Sequence, residues 1–137
     1  MNVVTRRTTL LGFLSWLVPF AVSFLFVDSS GHWIIPQPLF KSIMVVVFGG
    51  FGTALLVAAF RRTRPTMRSG LALGGYWLAI NLALDLAVLR PLAGMSVQDY
   101  VYDIGLRYLL IPIIAAAMGA TADQARKDAA PPAGSPG

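Results

Sequence analysis

The side chains that could do chemistry in this chain are few, and three of them recur at one spacing. Trp77, Asn81 and Asp85 are four residues apart, so on a helix they share a face and drift about 40° per step. Arg107 and Asp103 are also four apart. A carboxylate and a guanidinium set in apolar sequence can clasp each other, hold an ion or line a path for one. Catalysis is harder to assemble. The chain has no cysteine, which removes thiolate nucleophiles, iron–sulfur ligands and disulfides, and only one histidine, His32. All six acidic residues are aspartates. His32 has only Asp28 near it in sequence, and the Trp33-Ile34-Ile35 that follows reads as an interfacial anchor. No catalytic residue, metal site or cofactor is expected, and no Ser-His-Asp set has its members at one depth.

The elements that must position these residues follow from composition. Of 137 residues 56% are hydrophobic and 12% charged, about half the charge of an ordinary soluble domain. Four stretches approach the roughly 20 apolar residues that a helix needs to cross a bilayer. They run from 8 to 27, 42 to 60, 69 to 89 and 104 to 122. The last holds only 15 uncharged residues, Tyr108 to Ala122, so it must take Arg107 into the membrane's outer part. The expected fold class is therefore all-α, a polytopic membrane protein with four spans in two hairpins. Residues 123–137, ending in Ala-Ala-Pro-Pro-Ala-Gly-Ser-Pro-Gly, read as a disordered tail.

Cations set the orientation. Arg6, Arg7, Arg61, Arg62, Arg64, Arg68, Arg126 and Lys127 fall on one side of the four spans, and Lys41 and Arg90 on the other. Both termini are expected in the cytoplasm of a prokaryote, with the chain in the inner membrane. The same asymmetry accounts for the net charge of +5 through lipid headgroups, without nucleic acid. Thr5-Arg6-Arg7-Thr8-Thr9-Leu10-Leu11 echoes a twin-arginine export signal. The apolar stretch behind it is too long for one, and Phe26-Val27-Asp28-Ser29-Ser30 offers no small-residue cleavage site.

Within this frame Asp85 lies four residues before the end of the third span and Arg107 three after the start of the fourth. Both would sit about one turn below the outer surface, where an unpaired ion is costly, about 2.5–3.5 kcal/mol at mid-bilayer and less near the edge. An Asp85–Arg107 clasp is expected. Asp103 competes for the same guanidinium with a favourable helical spacing worth about 0.2–0.5 kcal/mol, and Arg107 has donors enough to bridge both. Opposite the polar row, Gly75, Ala79, Ala83 and Ala87 make a row of small residues suited to close helix packing. Pro19 and Pro112 are expected to bend their helices and free the carbonyls of Ser15 and Tyr108. Gly49, Gly50 and Gly52 offer close packing or a flexible point, not a phosphate loop, since no strand precedes them.

Three blocks carry a resemblance. Phe40-Lys41-Ser42-Ile43-Met44, Asn81 to Leu86, and Gly105-Leu106-Arg107-Tyr108-Leu109-Leu110-Ile111-Pro112-Ile113 with Met118-Gly119 resemble a family of small prokaryotic four-helix membrane proteins, over roughly residues 10–119. The resemblance implies an architecture and no activity. Two functions fit the residues. One is a structural or accessory protein, with the lipid bilayer around it, packing against itself or another membrane protein through the Gly75–Ala87 row. The alternative is a homo-oligomeric channel or transporter for a small ion or solute, using Asn81, Asp85 and Arg107.

Overall fold

Two short polar boxes start the helices at one end of the molecule. The Thr5 hydroxyl accepts the Thr8 amide at 3.1 Å and opens α1 (Arg6–Ser23); the Thr66 hydroxyl accepts the Ser69 amide at 3.2 Å and opens α3 (Met67–Leu84). Each cap satisfies amides that the first helical turn cannot. Between them α2 (Gln37–Phe60) returns the chain, with Pro38 in its first turn, where a missing amide costs nothing. The computed structural model describes residues 2–130, and these are helical throughout apart from connections and one isolated bridge between Val27 and Trp33.

Four helical segments are long and apolar enough to cross a membrane: Arg6–Phe26, Gln37–Phe60, Met67–Ala93 and Gly105–Asp128. The first ends in a 3₁₀ turn, Phe24–Phe26. The third continues from α3 through a π-helical turn, Asp85–Leu89, into a short α4 (Arg90–Ala93), which Gly94 closes in the left-handed region at φ 63°. After α5 (Val97–Asp103), Ile104 at φ −129° breaks the helix. A 3₁₀ segment, Gly105–Leu109, then leads into α6 (Leu110–Asp128). That helix runs past Ala122, so residues 123–128 are helical where a tail is expected, and residues 131–137 lie outside the described residues.

Packing sets the order of the helices around the core. α1 touches α2 and α3, and α6 touches α3 and α2. The α3–α6 seam is the tightest. A Cβ on Gly70 would run into the Ala115 carbonyl, one on Gly74 into Pro112, and one on Gly119 into the Thr66 carbonyl. The pairs Thr66/Gly119, Gly70/Ala115 and Gly74/Pro112 step in opposite directions, so α3 and α6 are antiparallel. Backbones this close gain dispersion contacts that bulkier residues would forbid. Leu56, Phe60, Leu73, Trp77, Ile111 and Ala115 fill the space among the four segments. Arg7 donates to the Ala58 carbonyl in the last turn of α2 and Arg126 to the Pro65 carbonyl of the following connection at 2.7 Å, which ties the start of α1 and the end of α6 to the α2–α3 turn.

The small-residue row does not make this seam. Gly75, Ala79, Ala83 and Ala87 are all exposed, and a Cβ on Gly75 would meet nothing within 4 Å. The cause is the polar row on the opposite face: Trp77, Asn81 and Asp85 turn inward and are each 0% exposed, which points the small row outward. The α6 contact falls one position earlier, on Gly70 and Gly74. Pro112 also differs from expectation, since it lies in the first turn of α6, where no helical acceptor is lost.

Candidate functional site

Three hydrogen bonds run up the α1–α3 seam. Trp77 Nε1 donates to the Thr8 carbonyl at 2.9 Å, Asn81 Nδ2 to Ser15 Oγ at 3.0 Å, and Trp16 Nε1 to Asp85 Oδ1 at 2.6 Å. Residue numbers rise together on both helices, so α1 and α3 run parallel. Asn81 Nδ2 also donates to the Trp77 carbonyl at 2.8 Å, while its Oδ1, buried, has no partner among the described residues. Flipping the amide would set its oxygen against that carbonyl, so the orientation is fixed by the network.

Asp85 ends the row where α3 passes into the π turn. Its second oxygen accepts the Tyr100 hydroxyl at 3.0 Å. Tyr100 is itself 2% exposed on α5. Burial first, and the neighbouring Asp85 second, push the Tyr100 phenol above its ordinary range, so the hydroxyl stays a proton donor. The carboxyl thus takes its hydrogen bonds from aromatic donors. The expected clasp is absent: Arg107 makes no ion pair among the described residues. Its rival is absent as well, because α5 stops at Asp103 and Arg107 sits in the following 3₁₀ segment, which destroys the four-residue helical register. Asp103 pairs instead with Lys41 of α2 at 3.1 Å.

Above Asp85 the helices part around a cavity of about 240 Å³, at the end of the bundle opposite the Thr5 and Thr66 caps. Phe20, Phe40, Met44, Val45 and Phe48 give it apolar walls, Trp33 from the first connection reaches over it, and Lys41, Asp103 and Arg107 bring charge to its lining. Trp33 and Phe40 pack with ring centroids 4.4 Å apart, and Phe48 meets Tyr108 edge-on at 4.8 Å. The first connection is shaped by Asp28, whose Oδ1 accepts the amides of Ser30 and His32. His32 itself is exposed, 3.9 Å from that carboxylate. Pro19 is buried in the cavity wall. Gly49 and Gly52 line a second space of about 10 Å³ below, with Ser15, room for about one water.

The spacing of Trp77, Asn81 and Asp85 brings them into one buried row, and the fold, not a helical register, sets Arg107 and Asp103 in the cavity lining with Asp85. The donors Trp16 and Tyr100 escape sequence reasoning. The signal that could find them is that a buried carboxyl needs hydrogen-bond donors, and the flanking segments hold Trp16, Tyr100 and Tyr108. Comparison of the chain with protein-family models, curated proteins and solved structures found no match.

Proposed function

We propose that the chain is a multi-pass protein of a prokaryotic cytoplasmic membrane that binds a small, largely apolar molecule in the cavity above Asp85, without catalysing a reaction on it. The observation that carries this reading is the cavity itself. At about 240 Å³ it falls just short of the about 300–1,000 Å³ of drug-sized ligand pockets, and it combines aromatic walls with a few polar groups in the way such pockets do. Eight cations at the end where α1 starts and α6 finishes, against Lys41, Arg90 and Arg107 at the other, support a cytoplasmic placement of both termini. The cavity then opens toward the outer half of the bilayer. Spans pairing as two hairpins, α1–α2 and α3–α6, agree with that topology and with the four-helix family that the sequence blocks resemble. Both oxygens of Asp85 are engaged by donors, which suits a group that fixes helix order better than one that attacks a substrate.

A second reading has its own observation. The exposed Gly75, Ala79, Ala83 and Ala87 form a flat strip on α3 where a second copy or another membrane protein could approach closely, as an accessory or homo-oligomeric protein requires. The two readings are compatible, since strip and cavity lie on different faces.

The first reading can be tested without choosing a ligand in advance. Protein purified in mild detergent is extracted with organic solvent and the extract analysed by mass spectrometry, for wild type and for Val45→Phe, which fills the cavity wall. A molecule recovered near one per chain from wild type and lost from the folded variant is the expected result. Identical extracts from both would remove the cavity reading.

A further inference from the structure

We infer that the cavity takes a single-chain amphipathic anion drawn from the outer leaflet, a carboxylate or phosphate whose headgroup is held by Arg107. This rests on the cavity reading above. Four charged side chains line the cavity: Lys41, Asp85, Asp103 and Arg107. Lys41 and Asp103 neutralise each other at 3.1 Å. Asp85 is supplied by Trp16 at 2.6 Å and Tyr100 at 3.0 Å. Arg107 alone of the four has neither an ion pair nor a hydrogen-bonded acid among the described residues. A guanidinium keeps its charge at any relevant pH and presents a planar fork of donors that fits carboxylate or phosphate oxygens two at a time.

Depth and size specify the rest of the ligand. Arg107 stands two residues inside the start of the fourth apolar segment, Gly105–Asp128, which in the topology proposed above sets it near the outer headgroups. The wall descends along α2 from Lys41 to Phe48, seven residues or about 10 Å of helix. In the measure in which about 10–15 Å³ admits one water, a volume of about 240 Å³ admits roughly 16–24 water-sized groups. That is one medium alkyl chain and far less than a two-chain phospholipid. A lipophilic cation seeking Asp85 is the competing class, and it is disfavoured because Arg107 shares the lining and both Asp85 oxygens already accept hydrogen bonds.

The experiment uses the full chain in nanodiscs of zwitterionic lipid and reads tryptophan fluorescence. Two of the three tryptophans, Trp16 and Trp33, line the cavity, and Trp77 does not. The probes are decyl phosphate and decyltrimethylammonium, each brominated at the chain end as a quencher, and inorganic phosphate as a competitor. Decyl phosphate should quench saturably above the linear background of membrane partition. Arg107→Gln should raise half-saturation about tenfold or more, the loss of a charged hydrogen bond. Should that variant fail to fold, Val45→Phe, which touches no charge, should abolish saturable quenching while the protein stays folded. Unchanged affinity in folded Arg107→Gln would overturn the assignment of the headgroup. Tighter binding of the ammonium probe, lost in Asp85→Asn, would overturn the anion and leave the cavity reading standing. Competition by inorganic phosphate as effective as by the alkyl phosphate would overturn the lipid-leaflet source. Absence of saturable quenching by either probe would overturn the inference and the cavity reading together.

Discussion

Asp85→Asn is expected to destabilise the protein by about 1–3 kcal/mol, the cost of one buried donor left without an acceptor. Asp85 is fully buried and accepts Trp16 Nε1 at 2.6 Å and the Tyr100 hydroxyl at 3.0 Å. The amide keeps one acceptor oxygen for the Trp16 indole and turns an NH₂ toward Tyr100, whose oxygen can accept it only by turning its own O–H away, which leaves that buried proton without an acceptor. The apportioning comes from double-mutant cycles. Hydrogen bonds between membrane helices average about 0.6 kcal/mol in such cycles and reach about 1.7, and the short indole bond to a carboxyl belongs at the upper end. Asp85→Asn combined with Trp16→Phe should therefore show a coupling of about 1–1.7 kcal/mol, and with Tyr100→Phe a smaller one. Asp85→Asn combined with Arg107→Gln should be additive within about 0.3–0.5 kcal/mol, as for residues sharing no partner. The assay is equilibrium unfolding of purified protein against increasing mole fraction of a denaturing detergent. A coupling between Asp85 and Arg107 larger than that between Asp85 and Trp16 would overturn this assignment of donors and restore an ionic clasp.

Gly74→Val should cost about 1–3 kcal/mol or more, because its Cβ would run into the Pro112 backbone and the Ala115 side chain, whereas Gly75→Val, with open space around it, should stay within about 0.5 kcal/mol; equal effects in a thermal melt would mean the α3–α6 register is wrong. Tyr100 has its phenol raised by burial, so its protonated form favours the folded state. That contribution is complete below the ordinary value near 10 and is lost as pH climbs above it. Wild type should thus lose stability above about pH 10 more steeply than Tyr100→Phe, and parallel pH profiles would contradict the placement of that hydroxyl. Ala79→Cys should form an intermolecular disulfide on oxidation of membranes, and Val46→Cys, 73% exposed on α2, should not; absence of a crosslinked dimer at Ala79 would argue against self-association through the small-residue row.

The helices and the inward polar row are legible in the sequence because both are governed by local rules, the length of apolar runs and the 3.6-residue period. Trp77, Asn81 and Asp85 announce themselves by spacing. What the polar row meets is not local. Asp85 is reached by Trp16 from 69 residues away and by Tyr100 from a helix of seven residues, and no periodicity marks either. The ion pairs escape for the same reason. Asp103 and Arg107 look like helical neighbours in one dimension, but the break at Ile104 separates them, and Lys41 comes to Asp103 across the bundle. The small-residue row is not the row that meets α6, because Gly70 and Gly74 repeat the same four-residue step one position earlier, and small residues alone do not say which row faces a neighbour within the chain. The cavity leaves the faintest trace. Part of its lining, Asp85, Leu89, Arg107 and Tyr108, comes from the π and 3₁₀ turns at Asp85–Leu89 and Gly105–Leu109, departures from ideal helix that hydropathy does not record.

A ligand-holding cavity is tested at its plainest by the bromine anomalous signal from crystals of the full chain grown with decyl phosphate brominated at the chain end. The expected result is one bromine peak per chain inside the cavity bounded by Trp16, Phe40 and Phe48, with the phosphate at Arg107. Bromine found only on the outer surface of the helices, over a cavity closed by its own side chains, would contradict ligand binding there.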